Sequence, residues 1–203
     1  MEITPSNLKS SETYRLLCSL LVPRPIAWVS TLDSEARPNL APFSFFSAVT
    51  SDPPTLMLSV GRRQGEQKDT SKNLLSTGEA VIHIPTRAQA EVMVASSADF
   101  ESGIDEFSVC GLKALPSSVV KPARVAGAAV AMEVRLAGYQ NIGKAPMDVF
   151  FLSVVQFHVD DAVYKDGLVD ASLLDACGRL GGNEYCSTTE IFMINRPTPE
   201  ELL

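Results

Sequence analysis

Three strand-like segments that follow one another with only turns between them constrain the fold of this chain more than any other feature. The segments are Ile26–Thr31, Asn39–Val49 and Thr55–Val60, and they are separated at Asp33–Arg37 and Asp52–Pro54. Each is rich in apolar, β-branched or aromatic residues, as strands are. Because no helix lies between them, they are predicted to pair antiparallel, and a parallel β-α-β arrangement is the weaker interpretation.

The rest of the pattern places helices around this sheet. Helical spacing and capping residues predict helices at Ser10–Leu21 and Lys68–Leu75, and Gly78 ends the second. The alanine-rich segment Thr86–Ser96 is predicted to be a third helix, and Ala80–Ile84 a strand. Two later strands alternate apolar and polar residues, which predicts one buried face in each. They lie at Val130–Ala137 and Val155–Asp160.

No linker, repeat or low-complexity segment divides the chain. We therefore expect residues 1–203 to form a single domain. Many strands and few helices predict a mainly β fold, an antiparallel barrel or sandwich with peripheral helices.

The composition argues against several classes of protein. A formal net charge of -7 without any basic run does not suit nucleic acid, whose backbone is bound by clustered Lys and Arg. No apolar run is long enough to span a membrane, and Met1–Lys9 lacks the basic and apolar regions of a signal peptide. The four cysteines are scattered and show no metal-binding spacing. A cytoplasmic protein with free thiols and no metal site is expected.

The motifs of several enzyme classes are absent. The sequence contains no GxGxxG dinucleotide fingerprint, no phosphate-binding P-loop and no GxSxG nucleophile elbow. The two histidines, His83 and His158, lie in strand-like segments and are predicted to be structural or surface residues rather than general bases. No catalytic side chain is therefore predicted, and any reactive group is expected to belong to a cofactor.

Two segments carry a positive signal, although each also has a plain structural interpretation. In Asn39–Phe46, Pro42 removes a backbone donor, which favours an edge or a bulge whose free backbone groups can pair with a planar heterocycle. Lys68–Ser71 opens a helix, and a helix N-terminus suits a phosphate, with Asp69 as a cap or turn residue. The alternatives are an ordinary edge strand and an N-cap without a ligand.

Further motifs join these two segments in a fixed order. They are Pro23–Thr31, Asn39–Phe46, Asp52–Pro54, Lys68–Thr70 with Asn73, Phe107–Leu112, Glu133, His158–Asp161 and Arg179–Gly182. In order and spacing, from Tyr14 to Tyr185, the chain resembles the flavin-reductase-like, FMN-binding split-barrel family. Three residues depart from the family's usual pattern: Ser47 and His83 stand where Asn is common, and Cys110 stands where a small residue such as Ala is usual.

The resemblance implies an antiparallel FMN-binding split barrel that forms a homodimer, with FMN near the subunit interface. The residues implied at the isoalloxazine or ribityl chain are Asn39, Ala41, Pro42 and Ser44, with Ser59, Val60 and Gly61 lining the same pocket. The residues implied at the phosphate end are Lys68, Thr70 and Asn73, with Asp69 beside them. Arg24, Arg179 and Tyr185 are candidates for contact with a second substrate, because Arg can fork onto phosphate and Tyr can stack. A salt bridge or a packing role is the alternative for each of these three.

The activity implied by the resemblance is NAD(P)H-dependent reduction of flavin, in which hydride passes from nicotinamide to the flavin. A partner oxygenase is one destination for the reduced flavin. Two alternatives stay open: a protein that keeps FMN and transfers electrons, and a non-catalytic FMN-binding or sensing module. The sequence does not separate the three, because a fold does not fix a function.

Overall fold

The computed structural model describes residues 1–203 and consists mainly of β-strands. The strands are β1 (Arg24–Pro25), β2 (Ala27–Leu32), β3 (Pro38–Phe43), β4 (Phe46–Ser51), β5 (Pro54–Val60), β6 (Glu79–His83), β7 (Ala114–Leu115), β8 (Arg124–Val125), β9 (Val130–Ile142), β10 (Met147–Val159), β11 (Tyr164–Lys165), β12 (Leu168–Val169), β13 (Gly178–Arg179) and β14 (Tyr185–Cys186). The α-helices are α1 (Ser10–Leu20), α2 (Asp69–Thr77), α3 (Ala90–Ala95), α4 (Glu106–Val109) and α5 (Ala171–Leu174). Short 3-10 turns lie at Pro5–Asn7, Arg87–Gln89, Asp161–Val163 and Pro199–Glu201. No helix has the length and apolar character needed to cross a lipid bilayer.

Seven strands form one antiparallel sheet in the order β3-β2-β6-β9-β10-β5-β4, which confirms the mainly β, antiparallel prediction. Its two edge strands, β3 and β4, are consecutive in the chain and are joined only through Ser44 and Phe45. The sheet must therefore curl until its edges meet at these two residues, the β3–β4 corner. There the Phe45 carbonyl oxygen accepts a hydrogen bond from the Ser59 amide at 2.8 Å.

The segment Asn39–Val49, predicted as one long strand, is two strands. β3 ends at Phe43 and pairs with β2, whereas β4 begins at Phe46 and pairs with β5. The single-strand prediction was wrong because apolar and aromatic residues continue across the turn, and composition alone does not show where pairing changes. The edge position predicted from Pro42 is confirmed, because β3 is an edge strand.

The two long strands β9 and β10 extend further than predicted, over 13 residues each. The prediction of one buried face is wrong at several positions: Val155 and Phe157 on β10 are exposed, while Glu133 on β9 is buried. β10 pairs with β5 only as far as Ser153. Val154 is still buried in the interior core, but the apolar side chains of Val155 and Phe157 lie past the covered part of the barrel.

Two apolar clusters lie on opposite sides of the barrel wall. The interior cluster takes side chains from all seven strands and includes Leu74 of α2. The exterior cluster packs Trp28 of β2 against Met93 of α3 and Phe107 of α4. Because successive side chains of a strand point to opposite faces, β2 is buried on both, with Val29 inside and Trp28 outside. This double packing fixes β2, and β3 pairs directly with it.

His83 of β6 ties the short strand β8 to the barrel. It is fully buried: its Nε2 accepts the Val125 N–H at 2.9 Å, and its Nδ1 lies 2.8 Å from the Trp28 carbonyl oxygen. Nδ1 must therefore carry the proton and donate it to that carbonyl. Burial lowers the pKa of His83 to about 4, so the ring is neutral at neutral pH. His83 is thus a structural histidine, one of the two roles predicted for it.

Glu133, on the neighbouring strand β9, anchors the loop between β7 and β8. Its carboxylate accepts the amide N–H groups of Ser118, Val119 and Val120 at 2.6–2.9 Å and lies 2.6 Å from His158 Nε2. Burial alone would raise the pKa of Glu133, but these hydrogen bonds outweigh it and lower the pKa to about 2. The carboxylate is therefore ionised at neutral pH.

Candidate functional site

A cavity of about 610 Å³ opens beside the β3–β4 corner. Its volume lies within the range of small-molecule and cofactor sites, about 300–1,000 Å³. Its walls come mainly from α1, the β3–β4 corner, the loop from Gly61 to Lys68, the start of β10 and the segment from Arg179 to Tyr185. Residues from nearly the whole length of the chain are therefore needed to build it.

Positive charge is concentrated in this cavity. The cationic side chains that line it are Arg15, Arg24, Arg62, Lys68 and Arg179, and no Asp or Glu lines it. Of the five, only Arg62 forms an ion pair. The chain as a whole carries a formal net charge of -7. Cations gathered between low-dielectric walls attract an anionic ligand, because the walls focus the field.

One end of the cavity combines a helix N-terminus with two cations. Lys68, the N-cap residue of α2, lines the cavity. The backbone N–H groups of Asp69 and Thr70, which lie behind it, donate to no acceptor within the chain. Arg62, from the loop that precedes this helix, also lines the cavity. Free helix N–H groups, an ammonium and a guanidinium are donors that a phosphate ester prefers.

The β3–β4 corner offers an aromatic wall with free backbone donors. The N–H groups of Ser44 and Phe45 donate to no acceptor within the chain, and the Tyr14 and Phe45 rings lie 6.0 Å apart, centre to centre. Further along β3, the N–H of Leu40 is already taken by the Glu106 carboxylate at 2.8 Å, and burial raises the pKa of that carboxyl. The free N–H groups of Ser44 and Phe45 thus suit the heteroatoms of a planar ring that lies against the β3–β4 corner.

Arg24 lines the cavity but uses most of its N–H donors within the protein. Its guanidinium donates to the carbonyl oxygens of Cys18, Leu21 (2.8 Å) and Leu180 (2.9 Å), and to the Ser44 hydroxyl at 3.4 Å. The first two carbonyls are at the C-terminal end of α1, where helical partners run out. Arg24 therefore ties α1 to the barrel, which fits the packing alternative rather than contact with a substrate.

Arg179 and Tyr185 form a pair on the cavity wall. They lie opposite each other on β13 and β14, and the guanidinium carbon of Arg179 is 4.5 Å from the centre of the Tyr185 ring. The same guanidinium donates to the Tyr185 hydroxyl and to the Gly182 carbonyl. A cation over an aromatic face is held by the ring's quadrupole. The pair thus presents an oriented positive charge and an aromatic ring to the cavity.

The structure brings eight of the fourteen predicted site residues to this cavity and leaves six outside it. Those that line it are Pro42, Ser44, Ser59, Gly61 and Lys68, with the substrate candidates Arg24, Arg179 and Tyr185. Those outside are Asn39, Ala41, Val60, Asp69, Thr70 and Asn73. Ala41 and Val60 pack in or against the interior core instead.

Thr70 and Asn73 belong to a buried polar cluster that joins α2 to the sheet. Asn39 Nδ2 donates to Thr70 Oγ1 at 3.0 Å, and Asn73 Nδ2 donates to Thr31 Oγ1 at 3.0 Å. Asn39, Asn73 and Asp69 also border a second, polar cavity of about 280 Å³. The residues predicted for the phosphate end are therefore divided: Lys68 lines the main cavity, while Thr70 and Asn73 hold the helix behind it.

Several residues that line the cavity were missed from the sequence. They are, above all, Tyr14, Arg15 and Cys18 of α1, with Arg62 and Met147. The spacing of the first three indicates a shared helix face but not what that face meets. Arg62 directly follows the predicted Gly61 and could have been found from it. Met147 lies in the wall because β10 pairs with β5, which no local pattern specifies.

Comparison with known proteins gives full-length matches. A family model described as "Flavin reductase like domain" matches residues 19–176. The crystal structure of nitrilotriacetate monooxygenase component B from Bacillus cereus superposes with a TM-score of 0.92 at 31% identity, covering 96% of this chain and 98% of that one. The structure of the Pseudomonas fluorescens 2-nitrobenzoate 2-nitroreductase NbaA gives a TM-score of 0.90 at 30% identity, covering 98% of each chain.

Two further comparisons extend this similarity. An uncharacterized protein of Bacillus subtilis (strain 168), YwrF, is 36% identical over 197 residues, covering 94% of this chain and 96% of the relative. The flavoredoxin of Desulfovibrio vulgaris (Miyazaki F) shares the fold with a TM-score of 0.77 at 21% identity, covering 98% of this chain and 100% of that one. These superpositions confirm the predicted barrel fold over nearly the whole chain.

Proposed function

The chain belongs to the flavin reductase-like family, and on that premise we propose that it is an FMN-binding oxidoreductase that transfers hydride from NAD(P)H to flavin. The observation that carries the proposal is the cavity, where five Lys or Arg side chains and no carboxylate accompany an aromatic wall with free backbone donors. Such a site suits a ligand with a planar polar ring and a phosphate. In this proposal residues 1–203 act as a single domain.

FMN fits the chemistry of both ends of the cavity. Lys68, Arg62 and the N-terminus of α2 would hold the phosphate, and the N–H groups of Ser44 and Phe45 would face the ring heteroatoms. Pro42, Ser59 and Gly61 would line the wall beside the flavin. The one helix N-terminus at the cavity supports a mononucleotide over FAD.

A bound flavin supplies the hydride acceptor, so the protein needs little acid–base machinery of its own. No His, Asp or Glu lines the cavity, so its residues would act by binding and orienting the reactants. Arg15 and the pair Arg179 and Tyr185 would contact the anionic and planar parts of NAD(P)H.

We also propose that the protein works as a homodimer. Leu17, Leu20 and Leu21 at the end of α1 are 45–65% exposed, next to residues of the same helix that line the cavity. The edge strand β4 is exposed from Ser47 to Ser51 and carries no charge. A stable dimer buries about 1,200 Å² or more, and these surfaces would contribute to it. Light scattering that shows a flavin-loaded monomer at micromolar concentration would contradict this proposal.

Flavin titration tests the binding part of the proposal. Apo-protein is titrated with FMN, FAD and riboflavin while flavin fluorescence is followed, and FMN should bind most tightly. Lys68→Gln should weaken FMN binding about tenfold, because a charge-assisted hydrogen bond to phosphate is lost, and should leave riboflavin binding unchanged. The matched control is Lys72→Gln on the same helix, whose ammonium lies 3.3 Å from Asp69 and outside the main cavity. Equal losses for FMN and riboflavin would remove Lys68 from the phosphate site.

Steady-state oxidation of NADH and NADPH with free FMN tests the activity. Turnover above the uncatalysed rate is expected with at least one nicotinamide. No turnover with either, from protein that binds FMN, would favour the electron-transfer or flavin-sensing alternative. The similarity to a monooxygenase component supports an oxygenase as the acceptor of the reduced flavin.

A further inference from the structure

We propose that Asp148 is a positioning residue that holds Arg62, and with it the first turn of α2, in the arrangement that binds the ligand phosphate. The inference rests on the proposed function, because it concerns the phosphate end of the same cavity. Asp148 does not line the cavity. It lies behind Arg62 on β10, next to Met147, which does line it.

The Asp148 side chain is fully buried, and one of its oxygens accepts three hydrogen bonds. Oδ1 accepts from Arg62 Nη2 at 3.0 Å, from the Tyr139 hydroxyl at 2.8 Å and from Asn141 Nδ2 at 2.9 Å. Burial by itself would raise the pKa of Asp148, but hydrogen bonds from Tyr139 and Arg62 outweigh it, so the pKa is lowered and the group is ionised. A buried carboxylate held on three sides is a fixed point from which a guanidinium can be oriented.

Three buried polar atoms around this carboxylate have no hydrogen-bond partner. They are Asp148 Oδ2, Arg62 Nε and Ser71 Oγ. Ser71 is in the first turn of α2, the helix whose N-terminus faces the cavity, and it lies close enough to Asp148 to contribute to its lowered pKa. Unsatisfied buried polar groups are rare in folded proteins. The ionised Asp148 Oδ2 is an acceptor, and the Ser71 hydroxyl beside it can donate to it. The Nε–H of Arg62 is therefore the donor that an anion in front of Arg62 would satisfy.

Electrostatics explain why Arg62 needs this support. The other four cavity cations have no acidic partner, and like charges in a low-dielectric cavity repel one another. Without a fixed partner, the Arg62 guanidinium would move away from Lys68 and into solvent. Asp148 offsets that repulsion by accepting from Nη2. Because Nη1 makes only a long contact of 3.5 Å with the Gly65 carbonyl oxygen, N–H groups of Arg62 stay available for phosphate. Asp148 therefore affects the ligand only through Arg62.

The affinity ratio of FMN to riboflavin tests the inference, because a general loss of structure would weaken both ligands. Asp148→Asn and Arg62→Gln should each weaken FMN binding about tenfold and leave riboflavin unchanged. The double variant should be no worse than Arg62→Gln alone, because the two residues act as one unit. Tyr139→Phe is the matched control: it removes another donor to Asp148 but keeps the Arg62 contact, and it should keep the wild-type ratio.

Arg62→Lys provides a second test that leaves Asp148 in place, should Asp148→Asn fail to fold. Lys keeps the positive charge but cannot form the same forked contacts. If Asp148 acts by positioning the guanidinium, Arg62→Lys should lose as much affinity for FMN as Arg62→Gln. If only the charge matters, Arg62→Lys should bind FMN as the wild type does. Equal binding of FMN and riboflavin by the wild type would contradict the proposal that this end of the cavity binds the FMN phosphate. A preference for FMN that survives in Asp148→Asn or Arg62→Lys, or additive losses in the double variant, would overturn the role of Asp148.

Discussion

The burial of His83 predicts an acid-induced loss of stability that one substitution should abolish. Nε2 of the folded protein accepts the Val125 N–H, so protonation would remove that hydrogen bond and place a charge inside the barrel wall. The pKa of His83 is about 4 in the folded protein, against 6.5 for an unperturbed histidine. Because the folded value is the lower one, the unfolded chain takes up the proton first. The stability that depends on a neutral His83 is complete above pH 6.5 and is lost as the pH falls towards 4.

The size of this loss of stability follows from the difference between the two pKa values of His83, 6.5 in the unfolded chain and about 4 in the folded protein. Each pH unit is worth about 1.4 kcal/mol, so the full effect is about 3 kcal/mol, of which about 2 kcal/mol is lost by about pH 5. Glu133 acts in a lower window, because its folded pKa of about 2 lies below the ordinary 4.5, and its stabilisation is lost only between those values. A comparison of about pH 7.5 with about pH 5 therefore leaves the Glu133 window out, and the His83 contribution is read from the difference between the wild type and a His83 variant.

Urea denaturation at the two pH values measures the free energy of unfolding. The wild type should lose about 2 kcal/mol more between them than His83→Asn, which carries no titratable group in the wall. His158→Asn removes the only other imidazole of the chain and, as the control, should keep the wild-type loss. Equal losses in the wild type and His83→Asn would refute the reasoning. So would a nuclear magnetic resonance titration that gives His83 an unperturbed pKa.

Three buried side chains give further predictions. Arg24→Lys should lower the free energy of unfolding by about 2 kcal/mol, because an ammonium cannot bond the end of α1 and the Leu180 carbonyl together; an unchanged urea midpoint would contradict this anchoring. Glu133→Gln should cost about 3 kcal/mol and speed deuterium exchange of the amides at 118–120, since they lose a charged acceptor; unchanged exchange would mean that another group holds that loop. Glu106→Gln keeps an acceptor for the Leu40 N–H, so its free energy of unfolding should be nearly unchanged. Glu106→Ala should lower it by about 1–2 kcal/mol in the same denaturation assay. Equal effects of the two substitutions would contradict the hydrogen bond to Leu40.

Sequence reasoning succeeded where the controlling chemistry is local. Pro42 has no N–H wherever it lies, so its edge position followed from the residue itself. Gly78 ends α2 with a φ of 69°, a left-handed conformation that glycine adopts without strain, as predicted. The N-cap position belongs to Lys68 and not to Asp69, which is the first residue of the helix. Such features need no knowledge of distant partners.

Reasoning from the sequence failed where partners are far apart in the chain. Thr70 was expected at a phosphate, but its hydroxyl oxygen accepts from Asn39, which approaches only once β3 has paired. The contact of Arg62 with Asp148 spans 86 positions and depends on the register of β10 against β5. No pattern of single residues contains that register, because it is set by how the whole sheet closes.

The bond from Arg24 to the Leu180 carbonyl crosses 156 positions of the chain, and the cavity wall is completed only by Tyr185. A ribosome releases the N-terminal part first, so α1 and Arg24 emerge long before the segment that closes the cavity over them. A nascent chain that stops short of Leu180 has every strand of the seven-stranded sheet but an unfinished cavity. Under the proposed function, the ligand can therefore bind only after the chain is complete as far as Tyr185, and a stop before Leu180 would leave a barrel without a finished cavity.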